Sequence, residues 1–152
     1  HHDNGDRQQA LGMYGALVID PQEPNREPPV AQDVVVQLQE WTYWEGLTYP
    51  AMIMQGALPN VFTINGKAYP STETINLKVG EQARIRFIGS NTNFIHPMHI
   101  HGGPVKIIET DVNPVPSGAP LEKDTEEVGP GEGYQVLDPA RIPANGVPHC
   151  PI

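Results

Sequence analysis

The stretch Ile75-Asn76-Leu77-Lys78-Val79-Gly80-Glu81-Gln82-Ala83-Arg84-Ile85-Arg86-Phe87 alternates apolar and polar residues on both sides of a Gly-Glu pair. Successive side chains of a β-strand point to opposite faces, so alternation with period two marks strands with one dry and one wet face. Ile75, Leu77 and Val79 form one apolar stripe and Ala83, Ile85 and Phe87 a second, with Arg84 and Arg86 expected in solvent. Two such strands in succession are the building unit of an all-β sandwich.

The pattern continues outward. Val61-Phe62-Thr63-Ile64 followed by Asn65-Gly66 predicts a strand entering a tight hairpin, because both central positions of a type I′ turn require positive φ. Residues 33–41 predict a strand with Val34, Val36 and Leu38 on one face and Gln37 and Gln39 on the other. Residues 105–110 and 133–137 predict two more, the second following Pro130-Gly131. Residues 12–19, apolar on both faces, read as a buried strand that stops at Asp20-Pro21, and the proline-rich residues 21–29 read as a linker. Residues 41–56, with Trp41, Trp44, Tyr49, Met52 and Met54, read as an apolar loop covering one edge, and residues 142–152 as too interrupted for a regular strand over most of their length.

Composition sets the limits. The 152 residues suit one domain, and 15 Gly with 17 Pro divide them into short runs that argue against long helices. A hydrophobic content of 38% suffices for a core at this length. A net charge of −9 argues against a nucleic-acid partner, since phosphate binding needs a basic face. One cysteine cannot close an internal disulfide, and no apolar run approaches the roughly 20 residues of a membrane span. The first residues lack the basic, apolar, small-residue order of a signal peptide, so the expectation is a soluble chain from which any export signal has been removed.

Chemistry concentrates in the histidines: His1, His2, His96, His99, His101 and His149. In a β segment His99 and His101 share a face, and Pro97 lets His96 approach from the preceding bend, so three imidazoles can converge at one end of a sandwich. His149 and Cys150 are neighbours whose side chains point to opposite sides of an extended backbone, so each can serve a different metal. A thiolate with imidazoles suits a trigonal copper electron-transfer site, and imidazoles alone suit a copper centre that handles dioxygen. Structural zinc sites commonly use two or more cysteines, and only one is present.

At this point His96-Pro97-Met98-His99-Ile100-His101-Gly102 resembles the H-P-x-H-L-H-G signature of the multicopper oxidases, and His149-Cys150-Pro151-Ile152 resembles the start of their H-C-H-x-x-x-H loop. Lys123-Asp124-Thr125 and Gly129-Pro130-Gly131-Glu132 are similar to the family's K-D-T segment and P-G-E turn, and Phe62-Thr63-Ile64-Asn65-Gly66-Lys67 to the hairpin at the start of its domain. His1-His2-Asp3 with the apolar run to Leu17 resembles the end of a preceding cupredoxin domain after its H-x-H copper loop.

The resemblance implies a Greek-key cupredoxin β-sandwich over residues 31–152, without its last strand, preceded by a linker at 21–30 and by the terminal strand and copper-loop remnant of another domain at 1–20. It implies His96 and Cys150 as type 1 copper ligands, His99 as a type 2 ligand, and His101 and His149 as type 3 ligands. His1 joins the type 3 set because it keeps the His-x-Asp order, with His2 as the fallback. Of these, His99, His101, His149 and Cys150 would carry the catalysis. The implied activity is a laccase-like, periplasmic or secreted oxidase passing electrons from a small phenolic, amine or metal-ion substrate to dioxygen. Its alternatives are a copper-binding electron-transfer module and a copper nitrite reductase, the latter disfavoured by the His99 and His101 pair. The family pattern has His where Pro151 stands, and the second type 1 imidazole and axial Met would lie beyond Ile152. The remaining ligands are therefore expected from the rest of a longer chain or from a homo-oligomer.

Overall fold

The computed structural model describes residues 4–23, 27–49, 58–142 and 148–149, the last pair and Asp6 without their side chains. A short helix α1 (Gly5–Ala10) precedes the strands β1 (Gln32–Trp44), β2 (Leu47–Tyr49), β3 (Val61–Ile64), β4 (Gln82–Gly89), β5 (His96–Ile100), β6 (Val105–Thr110), β7 (Asn113–Pro114), β8 (Leu121–Lys123), β9 (Thr125–Val128), β10 (Gly133–Pro139) and β11 (Pro148–His149). The larger sheet runs β2-β1-β4-β10-β6-β7, with β3 added to β1 and β8 to β6, and the smaller runs β11-β5-β9. β1 lies parallel to β4, so the chain crosses between them instead of forming a hairpin, and β10 lies antiparallel between β4 and β6. This is the all-β sandwich that the alternation predicts.

The core between the sheets joins Val36 and Leu38 of β1, Ala83, Ile85 and Phe87 of β4, Met98 and Ile100 of β5, Val105 and Ile107 of β6, Val128 of β9 and Val136 of β10. The apolar faces read from β1 and β4 are therefore the ones that pack. Asn65 and Gly66 both have positive φ, as the hairpin demands, and Asn65 also ties the turn to β1: its Oδ1 accepts the Gln37 N–H at 2.8 Å and its Nδ2 donates to the Val35 carbonyl at 2.9 Å.

Four local expectations are corrected. Residues 12–19 carry no regular secondary structure, and Leu17 and Ile19 are 85% and 79% exposed, above a cavity of about 710 Å³ that separates residues 17–21 from β4, β6 and β10. An apolar run alone cannot tell a buried strand from a segment awaiting a neighbour. Residues 75–79 form no strand, although Ile75 and Leu77 pack on the core. Within the expected loop at 41–56, β1 runs on to Trp44 and turns through Glu45-Gly46, both at positive φ, into β2; residues 50–56 lie outside the described residues.

Arg84 and Arg86 are the fourth correction, being buried at 6% and 7% exposure. The outer face of β4 is covered by the linker. Arg84 Nη2 donates to the Pro28 carbonyl at 2.8 Å, its Nη1 lies 2.7 Å from Glu27 Oε2, and both arginines donate to Asp33 at 2.8–2.9 Å. A buried guanidinium is tolerable because most of its donors meet carboxylates and a carbonyl, although Arg84 Nε has no hydrogen-bond partner among the described residues.

The hydrogen bond from Arg86 holds the Asp33 carboxyl below its ordinary range, against the opposing effect of burial and with further help from Arg84. A carboxylate whose folded value is depressed stabilises the fold above its unfolded value, about pH 4, and that contribution is lost as pH falls through the folded value. Asp33→Asn is therefore expected to cost at most about 1 kcal/mol at neutral pH, since Asp33 is partly solvated, and nothing at strongly acid pH. Denaturant unfolding at several pH values measures this, and a cost independent of pH would contradict the assignment.

Candidate metal centre

β5 alternates in burial, with His96, Met98 and Ile100 on the core side and Pro97 and His99 more open on the other. One strand thus delivers imidazoles to both of its faces. The rings of His99 and His101 meet edge to face with centroids 5.0 Å apart, as period two requires of residues two apart on a shared face. In the antiparallel pairing of β11 with β5, the backbone of His149 stands opposite His99. Cys150, His1 and His2, and the side chain of His149, lie outside the described residues.

His99 is held from the other side by β9, where Thr125 stands opposite it in register. Its Nδ1 is 2.8 Å from the Asp124 carbonyl oxygen and 3.4 Å from Asp124 Oδ2. A carbonyl oxygen can only accept, so Nδ1 donates, and the neutral ring then carries its lone pair on Nε2. This is how ligating histidines are oriented in metal sites, and it fits His99 to a metal bound through Nε2. The segment holding Asp124 is anchored by an ion pair of Lys123 Nζ with Glu126 Oε2 at 3.1 Å. Glu126 is buried, which pushes its carboxyl above the ordinary range in spite of Lys123.

His96 has different surroundings. It is 3% exposed, packs edge-on against the Phe62 ring at 6.0 Å, and its Nε2 is 3.1 Å from Oε1 of Glu40, itself 3% exposed. Oε1 also accepts the Phe94 N–H and an Asn91 Nδ2–H, each at 2.7 Å, and Oε2 accepts from Asn93 Nδ2 at 3.1 Å. Burial alone would raise the Glu40 carboxyl, but the donors from His96, Phe94, Asn93 and Asn91 outweigh it and hold the value low. Sequence reading missed Glu40, Asn91 and Asn93. The available signal was an acidic residue inside an apolar strand, between Leu38 and Trp41, and an Asn-x-Asn pair just ahead of the histidine motif.

Among the described residues no three His, Cys, Asp or Glu side chains converge as a metal-binding group. The structure brings His99 and His101 together, directs His96 to the opposite face of the same strand, and aligns the His149 backbone with His99. No described helix is long and apolar enough to cross a membrane.

The sequence profile described as multicopper oxidase matches residues 47–152. The multicopper oxidase MmcO of Mycobacterium tuberculosis is 33% identical over 89 residues, covering 59% of this chain and 16% of that protein. The solved multicopper oxidase mgLAC superposes with a TM-score of 0.84 at 29% identity, over all of this chain and 47% of its own. A blue copper oxidase from Nitrosomonas europaea superposes at 0.80 with 31% identity, over 94% of this chain and 45% of its own. The chain thus spans about a sixth of the curated relative and just under half of each solved oxidase.

Proposed function

Because the chain belongs to the multicopper oxidase family, we propose that it forms one copper-binding domain of an oxidase that takes single electrons from a phenol, an amine or a metal ion and reduces dioxygen to water. Copper, when bound, supplies the one-electron chemistry, and the protein supplies ligands, orientation and surroundings. His99 serves the type 2 copper; His101 and His149, with His1 or else His2, serve the type 3 pair; His96 and Cys150 serve the type 1 copper. The other ligands come from the remainder of a longer chain or from a neighbouring subunit. Residues 1–20 belong to a preceding cupredoxin domain, 21–30 link it, and 31–152 form the second. The site of action is the periplasm or the exterior of the cell.

The observation that carries this reading is the edge contact of His99 with His101, with the His149 backbone in register beside them. Three imidazole-bearing positions at one end of a sheet have no packing rationale, since a ring presented to solvent gains little from burial. The Asp124 carbonyl orients the His99 ring, and an ion pair joins Lys123 and Glu126 on either side of Asp124. His149 and Cys150, joined by one peptide bond, contribute one residue to each of two ligand sets.

The test is dioxygen uptake by the copper-loaded protein with a phenolic reductant. Uptake is expected, whereas blue colour without uptake would leave a copper-binding electron-transfer module. Copper binds only the folded ligand set, so a hundredfold excess over Kd should add roughly 2–3 kcal/mol of stability and raise Tm. An unchanged calorimetric transition under saturating copper would contradict a ligand set formed by folding.

A further inference from the structure

We infer that Glu40 is the positioning residue of His96: it holds the imidazole with its proton on Nε2 and so presents Nδ1 as the ligating nitrogen, the reverse of the arrangement at His99. This rests on the reading of His96 as a copper ligand. Glu40 Oε1 lies 3.1 Å from His96 Nε2 and also receives the Phe94 N–H and an Asn91 amide hydrogen, while Oε2 receives an Asn93 amide hydrogen. An ionised carboxylate oxygen carries no proton to give and Oε1 already accepts two N–H groups, so Nε2 must donate, and a neutral ring then carries its lone pair on Nδ1. At His99 the Asp124 carbonyl takes the Nδ1 proton instead, which leaves the lone pair on Nε2. The two imidazoles of one strand therefore offer opposite nitrogens on opposite faces.

The same cage restrains the ring from a second direction. Glu40 is buried in β1 directly opposite Phe62 of β3, whose ring meets the His96 edge, so the imidazole is fixed both in rotation and in tautomer. A carboxylate partner also raises the basicity of the distal nitrogen, and losing such a partner costs metal sites about 10–100-fold in affinity.

The experiment uses the intact purified protein. In the metal-free form, two-bond ¹⁵N–¹H correlation of the His96 ring is expected to show the proton on Nε2; a proton on Nδ1 overturns the inference whatever copper does. Glu40→Gln keeps a carbonyl oxygen for Nε2, and its amide meets an Asn93 side chain that can flip, so the fold is expected to survive. This variant should weaken copper binding at the thiolate site about 10–100-fold and raise the copper reduction potential, because a nearby negative charge that favours Cu(II) is gone. Wild-type affinity and potential in Glu40→Gln overturn the positioning role. The visible thiolate band of His96→Ala separates the two readings. Loss of that band supports both, whereas a retained band alongside an Nε2 proton in the wild type overturns the ligand assignment of His96 itself.

Discussion

Replacing Cys150 by Ser is expected to erase the intense visible thiolate-to-copper band of the loaded protein and reduce phenol-driven dioxygen uptake to background. His99→Ala is expected to keep that band while uptake falls by more than about 100-fold. The asymmetry follows from where the proposed ligands sit. His99 lies on the open face of β5 beside His101, and its Nδ1 is fixed by Asp124, so its loss opens the imidazole cluster without touching the core face that carries His96. Loss of a partner behind a ligand costs about 10–100-fold, and loss of the ligand itself costs more. Sulfur supplies the charge transfer that gives the colour, and a serine hydroxyl does not replace a soft thiolate. Visible absorption and oxygen-electrode rates on both variants decide the matter, and identical spectra would contradict the division of roles.

Gly89→Ala is expected to lower stability by about 3 kcal/mol, the upper end of overpacking costs, because the obstacle is backbone and cannot rotate away. A methyl group on Gly89 would overlap the carbonyl oxygen of Gly129. The two segments cannot slide apart freely, since the Gly89 N–H donates to the Glu132 carbonyl at 2.9 Å and the Gly89 carbonyl accepts the Gly131 N–H at 2.8 Å. Displacing Gly129 moves Val128, which stands opposite His96 in the smaller sheet, so the damage reaches the proposed type 1 ligand. Gly118→Ala, where an added methyl meets nothing within 4 Å, serves as the control. Urea unfolding measures both, and a Gly89→Ala cost within about 0.5 kcal/mol of the control would refute the close approach.

How far the sequence could be read depended on whether the deciding physics was local. β4 was legible because Ala83, Ile85 and Phe87 answer to the pleat of one strand, and the Asn65-Gly66 turn because its φ values are set by two residues. Arg84 and Arg86 misled because their burial depends on Glu27, Pro28 and Asp33, more than fifty residues away in sequence. The extension of β1 to Trp44 was hidden by aromatic residues that suit a loop or a strand equally. Residues 12–19 have the composition of a strand without a ladder to join. At the metal centre, the spacing of His99 and His101 was sufficient to predict that they meet. Glu40 showed only as an acidic residue within an apolar strand, and its pairing with His96 exists only once β1, the segment Asn91 to Phe94 and His96 are assembled.

The most direct measurement is an anomalous-difference map collected at the copper absorption edge from crystals of the loaded protein. The account predicts strong peaks within bonding distance of His99 and His101 on one face of β5, and a separate peak at His96 on the other. Peaks confined to surface carboxylates, with none beside His99, His101 or His96, would contradict it.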